Sequence, residues 1–113
     1  MHRVFKLSEV VERHQKLREP WFEFLRVPAL SLGIYSLPVG SSDPQFAHPE
    51  DEVYYIVSGR AMLRVENEDR IADPGAILYV RAHTNHRFHS IQSDLTCLVF
   101  FASPRGSETA GDE

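Results

Sequence analysis

The sequence is poor in cysteine, in long apolar runs and in clustered positive charge. Its 113 residues include one cysteine, Cys97, which excludes an intrachain disulfide and any zinc module built from several cysteines. No apolar run approaches the roughly 20 residues of a membrane-spanning helix, so we expect no contact with a membrane. Lys and Arg number 12 against 16 Asp and Glu. Without a basic stripe, nucleic acid is not expected as a partner.

The N-terminal residues also lack the apolar segment of a signal peptide. Together with the lone thiol, that absence predicts a reducing, cytoplasmic compartment. Hydrophobic residues make up 42% of the chain and charged residues 25%, the composition of an ordinary globular protein. We predict a single domain over residues 1–102, followed by a flexible acidic tail over residues 103–113.

Turn residues divide most of the chain into short apolar runs. One helix is predicted from Ser8 to Arg18, with Ser8 as its N-cap and Pro20 ending it. After it come seven candidate strands, at residues 21–27, 30–37, 53–57, 61–65, 77–80, 86–91 and 95–102. Many short strands separated by turn signals predict an all-β sandwich or barrel.

Several of these runs are apolar on both faces. The clearest are Val53 to Val57 and Leu98 to Phe101. A strand with one face in water alternates apolar and polar residues, so these strands need a cover on their outer side as well. The helix, the N-terminal strand or a second copy of the chain would supply it. We therefore expect a homodimer.

The acidic residues ahead of the first doubly apolar run include a candidate metal ligand. Residues two or four apart on a strand share a face, so Glu52 and His48 lie on the same side as Tyr54 and Ile56. A carboxylate on a core-facing side is costly unless it is paired or bound to a metal. The alternative is that residues 50–52 form only a solvent-exposed acidic turn and bind no metal.

A second candidate ligand lies two residues before an apolar residue, as Glu52 lies two residues before Tyr54. His86 shares a strand face with Phe88, while Arg87 and His89 point the other way. Two histidines and one carboxylate from different strands form a 2-His-1-carboxylate site with open coordination positions. Such a site suits Fe(II) and accommodates Mn, Ni, Zn or Cu.

The spacing of these residues resembles that of the cupins. Their first motif is G, five residues, H-x-H, three or four residues, E, six residues, G. Here Gly40 is followed by five residues, then Phe46 and His48 at the two histidine positions, Glu52 after three more, and Gly59 after a further six. Phe46 thus stands where the family normally has its first histidine.

The second motif of the cupins is also kept in spacing. Its form is G, five residues, P-x-G, two residues, H, three residues, N. Here Gly75 is followed by five residues, Arg81 and His83, then His86 and Ser90. Arg81, His83 and Ser90 replace the usual Pro, Gly and Asn.

The resemblance implies a double-stranded β-helix, a jelly roll of about eight strands with a short N-terminal helix. It implies a metal held by His48, Glu52 and His86. Gln45, next to the replaced histidine position, is a further candidate ligand, whereas His83 and His89 face away by strand parity. The same resemblance implies a small-molecule pocket inside the barrel. Its predicted lining residues are Phe46, Tyr54, Tyr79, Phe88 and Phe101.

Three functions remain open at this stage. The first is a metal-dependent enzyme for a small molecule, either a dioxygenase or an isomerase or lyase that uses Fe(II), Mn, Ni or Zn. The second is a non-enzymatic binding or sensor domain whose metal site is degenerate. The third, a structural interaction module, predicts no cavity beside His48 and His86. The remaining histidines, His2 and His14, are expected at the surface, and Cys97 as a small hydrophobe.

Overall fold

The computed structural model describes residues 2–44 and 47–106. Within them the chain forms one helix and six strands. Their bounds are α1 Leu7–Leu17, β1 Trp21–Val27, β2 Leu30–Leu37, β3 Asp51–Val65, β4 Glu68–Ala72, β5 Ile77–Val80 and β6 His86–Ala102. All strand pairs are antiparallel, in the order β1-β2-β6-β3-β4, with β5 also paired to β3. The predicted all-β class with a short N-terminal helix is confirmed.

The two longest strands replace four of the predicted ones. The expected break at Gly59 and the break between residues 91 and 95 are irregularities within β3 and β6, which stay paired from Asp51 with Ala102 to Val65 with His86. A bulge bends a strand without ending its pairing, so turn residues alone do not show where a strand stops. No strand was predicted between residues 65 and 77, but β4 lies there, from Glu68 to Ala72.

The pair formed by β3 and β6 curls until its two ends meet. A straight strand from Glu52 to Val65 would span roughly 40 Å. His86 pairs with Val65 and yet contacts the carboxylate of Glu52. The sheet therefore closes on itself and brings residues from opposite ends of one strand into a single site.

The inner face of the closed sheet holds the main core. Its largest members include Tyr54, Ile56, Leu63, Phe88 and Leu95. Cys97 is also fully buried there, as predicted, and burial raises the pKa of its thiol. The parity predicted for β3 is confirmed, since Glu52, Tyr54 and Ile56 all face inward.

The helix covers part of the outer face of the sheet. It begins at Leu7, one residue before the predicted N-cap Ser8, and it is followed by Arg18 in a left-handed conformation. The surface position predicted for His14 is wrong, because this residue is buried. Its Nε2 lies 2.6 Å from the carbonyl oxygen of Glu19 and 3.2 Å from that of Pro20. His14 thus ties the end of the helix to the start of β1.

Residues 103–106, predicted as the start of a flexible tail, are held against the domain. Pro104 is buried. The amide of Arg105 donates to Ser31 Oγ at 3.0 Å, and that of Gly106 donates to Glu50 Oε2 at 2.5 Å. The remainder of the predicted tail, residues 107–113, lies outside the described residues. No helix in the described part of the chain is long and apolar enough to cross a membrane.

Candidate metal centre and its cavity

The closed sheet brings His48, Glu52 and His86 together. His48 lies in the loop before β3, Glu52 is the second residue of β3, and His86 is the first residue of β6. Each offers one potential ligand atom, and these atoms all lie within 4.8 Å of one another. The three residues predicted from strand parity and motif spacing therefore share one site.

The orientation of His86 is set by a hydrogen bond to the backbone. Its Nδ1 lies 2.8 Å from the carbonyl oxygen of Thr84, and because that oxygen can only accept, Nδ1 carries the proton. In the neutral ring, Nε2 then has a lone pair. That lone pair faces the carboxylate of Glu52, with which Nε2 is in direct contact. A lone pair and a carboxylate oxygen in direct contact require a cation, either a proton or a metal ion, between them.

The carboxylate of Glu52 is almost completely buried, with 1% of the residue exposed. Tyr54 donates a hydrogen bond of 3.1 Å to its Oε1, while Oε2 has no hydrogen-bond partner among residues 2–44 and 47–106. A buried oxygen without a partner is costly in a folded protein unless a ligand binds it. The oxygen and imidazole donors of this site fit a divalent transition metal.

Burial and charge shift the two histidines in opposite directions. Burial opposes protonation of His86, but the hydrogen bond and the charge of Glu52 outweigh it and raise the pKa of the ring above its ordinary 6.5. Burial lowers the pKa of His48 below 6.5, against the charge of Glu52. At neutral pH His48 therefore presents a neutral imidazole, the form that binds a metal.

Backbone contacts position the loop that carries His48. The amide of His83 donates to the carbonyl oxygen of His48 at 2.6 Å, and the amide of Ala82 donates to Asp51 Oδ1 at 2.8 Å. His83 adopts this geometry with a φ of 65°. It is a turn residue at the position of the motif glycine, and histidine is among the residues that tolerate this region. His83 thus supports the site through its backbone.

A cavity of about 430 Å³ opens beside His48, a size suited to a small molecule. Its walls are mainly aromatic and apolar. The lining residues are Pro20, Trp21, Tyr35, Pro44, His48, Tyr54, Val99, Phe101 and Arg105. The structural-module interpretation expected no cavity beside His48 and His86, whereas this cavity is lined by His48.

The predicted pocket residues have different positions. Tyr54 and Phe101 line the cavity. Phe88 is fully buried behind Tyr54, with their rings 5.0 Å apart. The prediction for Tyr79 is wrong, because Leu78 and Val80 face inward and Tyr79, on the alternate face, is 61% exposed. Phe46 and the candidate ligand Gln45 lie outside the described residues.

Two further predictions concern His89 and the acidic residues ahead of β3. His89 faces away from the site, as predicted, and its Nε2 lies 2.9 Å from Asp69 Oδ1 on the surface. The alternative of a solvated acidic turn is wrong. Glu50 is 3% and Glu52 1% exposed, because the loop leading into β3 enters the barrel wall.

Sequence reasoning missed the groups that build the far side of the cavity. Asp43 is buried. It accepts a 2.5 Å hydrogen bond from the Tyr35 hydroxyl and a 2.8 Å bond from the Phe88 amide. Burial and this contact raise the pKa of Tyr35. Arg105 gave no signal, since it lies in a segment whose composition predicts a tail.

Comparisons with known proteins agree with this architecture. A family model described as a cupin domain matches residues 33–102. An uncharacterized protein of Streptomyces coelicolor is 38% identical over 102 residues, which cover 90% of this chain and 97% of that protein. Because that relative is itself uncharacterized, it suggests no activity for this chain.

Solved structures show the same fold at lower identity. An RmlC-like cupin with a double-stranded β-helix fold from Methanocaldococcus jannaschii matches with a TM-score of 0.68 and 17% identity, covering 80% of this chain and 84% of that one. The DMSP lyase DddQ of Ruegeria pomeroyi matches with a TM-score of 0.63 and 24% identity over 72% of this chain. The match spans only 40% of the lyase chain.

Proposed function

This chain belongs to the cupin domain family, and on that premise we propose that it binds a divalent transition metal and acts on a small molecule. His48, Glu52 and His86 would hold the ion, and the adjacent cavity would hold the substrate. The main support is the contact between His86 Nε2 and Glu52, beside a buried Glu52 oxygen that has no partner in the part of the chain that the structure describes. A bound ion satisfies both atoms at once.

Three protein ligands leave coordination positions open for a substrate. A divalent ion held there supplies Lewis acidity towards a carbonyl or enol oxygen or, as Fe(II), activation of O₂. We propose isomerase or lyase chemistry as one form of the reaction and dioxygenation as the other. The fold hosts both kinds of activity and does not choose between them.

The side chains around the site would orient the ligands and exclude water. Tyr54 hydrogen-bonds to Glu52 and packs against Phe88, so the carboxylate is fixed from the core side. Phe101 lies edge-on to His48, with ring centroids 5.7 Å apart. The resulting low-polarity surroundings strengthen any electrostatic contact made inside the cavity.

One observation favours the non-enzymatic alternative. A proton can take the place of the metal between His86 and Glu52, because the raised pKa of His86 allows the pair to exist as an ion pair. The cavity would then bind a small molecule by shape and hydrogen bonding alone. The two functions differ in whether the purified protein retains metal.

Metal loading tests the proposal directly. The protein is incubated separately with Fe(II), Mn, Ni and Zn, dialysed, and analysed for metal content and thermal unfolding. We expect about one ion per chain for at least one metal. At a free concentration near 100 times Kd, the ion should stabilise the fold by about 2.7 kcal/mol. The variants His86→Ala and Glu52→Ala should lose both effects.

The matched control for this experiment is His89→Ala. It removes a histidine of the same strand that pairs with Asp69 on the surface, so metal binding should be unchanged. Wild-type protein that retains no metal after loading with all four ions would contradict the proposal and favour the non-enzymatic function.

We also propose that two copies form a homodimer through the outer face of the sheet. Ile77 and Tyr79 are 71% and 61% exposed there. They pair across the sheet with Tyr55 and Val53, which are only partly buried. The apolar face thus continues beyond the area that the helix covers, and a second copy of the same face would shield it.

A further inference from the structure

The cavity contains one positively charged side chain that the metal site does not use. Among the lining residues that the structure describes, Arg105 is the one Lys or Arg. Its guanidinium carbon lies 5.6 Å from the Trp21 ring centroid and 5.8 Å from that of Phe101. Within residues 2–44 and 47–106, no carboxylate lies at ion-pair distance from it.

The backbone around Arg105 is fixed from three directions. Its amide donates to Ser31 Oγ at 3.0 Å, and its carbonyl oxygen accepts from Arg26 Nη1 at 3.1 Å. The next amide, of Gly106, donates to the buried carboxylate of Glu50. These contacts come from separate parts of the sequence, and all of them hold the backbone. The guanidinium is left free to meet a ligand in the cavity.

Arg105 and the candidate metal site share a neighbour. The ring of Phe101 has the Arg105 guanidinium on one side at 5.8 Å and the imidazole of His48 at 5.7 Å. A small molecule placed along this ring can therefore reach both groups. A guanidinium stacked on aromatic rings keeps its N–H groups directed outward, and it binds a carboxylate through two parallel hydrogen bonds.

We propose that Arg105 binds the carboxylate of a small organic acid whose other end lies at the metal site. This inference names the substrate class and rests on the proposed function for the metal end only. One guanidinium matches the single negative charge of a carboxylate. A phosphate monoester would bring nearly two charges to a cavity in which the described residues offer one cation. The aromatic walls favour an acid with an apolar body.

Titration calorimetry with named acids tests the carboxylate site. The probes are pyruvate, succinate and benzoate, with benzamide as the neutral match for benzoate, each added to metal-free protein. At least one acid should bind, and benzoate should bind more tightly than benzamide. The variant Arg105→Gln should weaken binding about tenfold or more, because a charge-assisted hydrogen bond is lost. Arg105→Lys, which keeps the charge without the fork, should give an intermediate Kd.

The matched control is Arg70→Gln, which removes the same charge from an exposed arginine that pairs with Glu68. Its Kd should equal that of the wild type. Circular dichroism should show that every variant is folded. Absence of binding for all three acids, equal binding by the Arg105→Gln variant, or tighter Arg105-dependent binding of inorganic phosphate would each overturn the proposal.

A second titration after metal loading separates the two proposals. If the acid also reaches the metal, the Kd should fall when the ion is present. Arg105-dependent binding with no retained metal leaves the carboxylate site standing and contradicts the metal function. Retained metal together with acid binding that does not depend on Arg105 would support the metal function and contradict the carboxylate site.

Discussion

At the scale of single residues, the contact between His86 and Glu52 is the most informative feature. Both side chains are almost fully buried, and the Thr84 carbonyl fixes which nitrogen of His86 carries the proton. The second nitrogen and the carboxylate can then bind one cation between them. In metal-free protein a proton can bind there, so protons and the metal ion compete for the site.

Metal-free protein should show a stability maximum near pH 6.5 from these two histidines. The raised pKa of His86 adds stability that is complete below pH 6.5 and is lost as the pH rises through the folded-state pKa. The lowered pKa of His48 has the opposite effect: its contribution is complete above pH 6.5 and is lost as the pH falls. Urea unfolding in the presence of a chelator measures the profile.

Metal should reverse the upper half of this profile. Protons compete with the ion for the imidazoles and the carboxylate, so metal-loaded protein should become more stable as the pH rises above 6.5. The variant His89→Ala should keep both profiles. A metal-free protein whose stability rises with pH above 6.5 would contradict the assigned shift of His86.

At the scale of elements, the bend in β3 depends on Gly59. This residue has a φ of +93°. A Cβ placed on it would lie 2.1 Å from the carbonyl oxygen of Asp94, which is backbone and cannot move aside easily. The close approach lets β3 and β6 bend together while they remain paired. The spacing between Glu52 and Gly59 in the motif therefore sets how far the ligand lies from the bend.

The variant Gly59→Ala should be strongly destabilised, by about 3 kcal/mol or more, because strain and a backbone clash add. Gly40→Ala is the matched control. Gly40 also has a positive φ, of +83°, but a Cβ placed on it would have no atom of the described residues within 4 Å. It should cost about 1–2 kcal/mol. Urea unfolding measures both, and equal losses would contradict the close-approach explanation.

At the scale of the whole molecule, one sheet carries apolar residues on both of its faces. Its inner face encloses the core and the cavity. Its outer face carries the helix over β2 at one side, where Val10 and Ile34 are buried, and remains exposed over β5. The expectation that the doubly apolar strands need two covers is consistent with this arrangement, and a second copy of the chain stays the proposed cover for the exposed side.

Light scattering at micromolar concentration tests the homodimer. Wild-type protein should have twice the chain mass, and Ile77→Glu should give the monomer, because a charge would be buried in the apolar contact. Val39→Glu is the control, since Val39 is also exposed, at 54%, but belongs to the loop after β2 and not to β5. A monomer mass for the wild type would contradict the proposal.

The cytoplasmic location stays a prediction.

Local rules predicted much of the structure. Parity placed Glu52 and His86 on inward faces. It was also applied to His48, but this residue lies in the loop before β3, so only the motif spacing supports its prediction. The same parity rule, applied to β5, would have placed Tyr79 on the outer face with Ile77, but the pocket prediction did not use it. Composition also failed for residues 103–106, because hydrogen bonds to Ser31 and Glu50 hold a segment that has almost no apolar content of its own.

The sequence by itself determined the strand periodicity, the motif spacing and the residue types available to bind a metal, since each depends on neighbours a few positions apart. Only the tertiary structure decided that Glu52 and His86 touch and that Asp43 links Tyr35 to Phe88. It alone placed Arg105 at the cavity. These contacts join residues far apart in the chain, and they depend on how tightly the β3 and β6 pair curls, which no local pattern specifies.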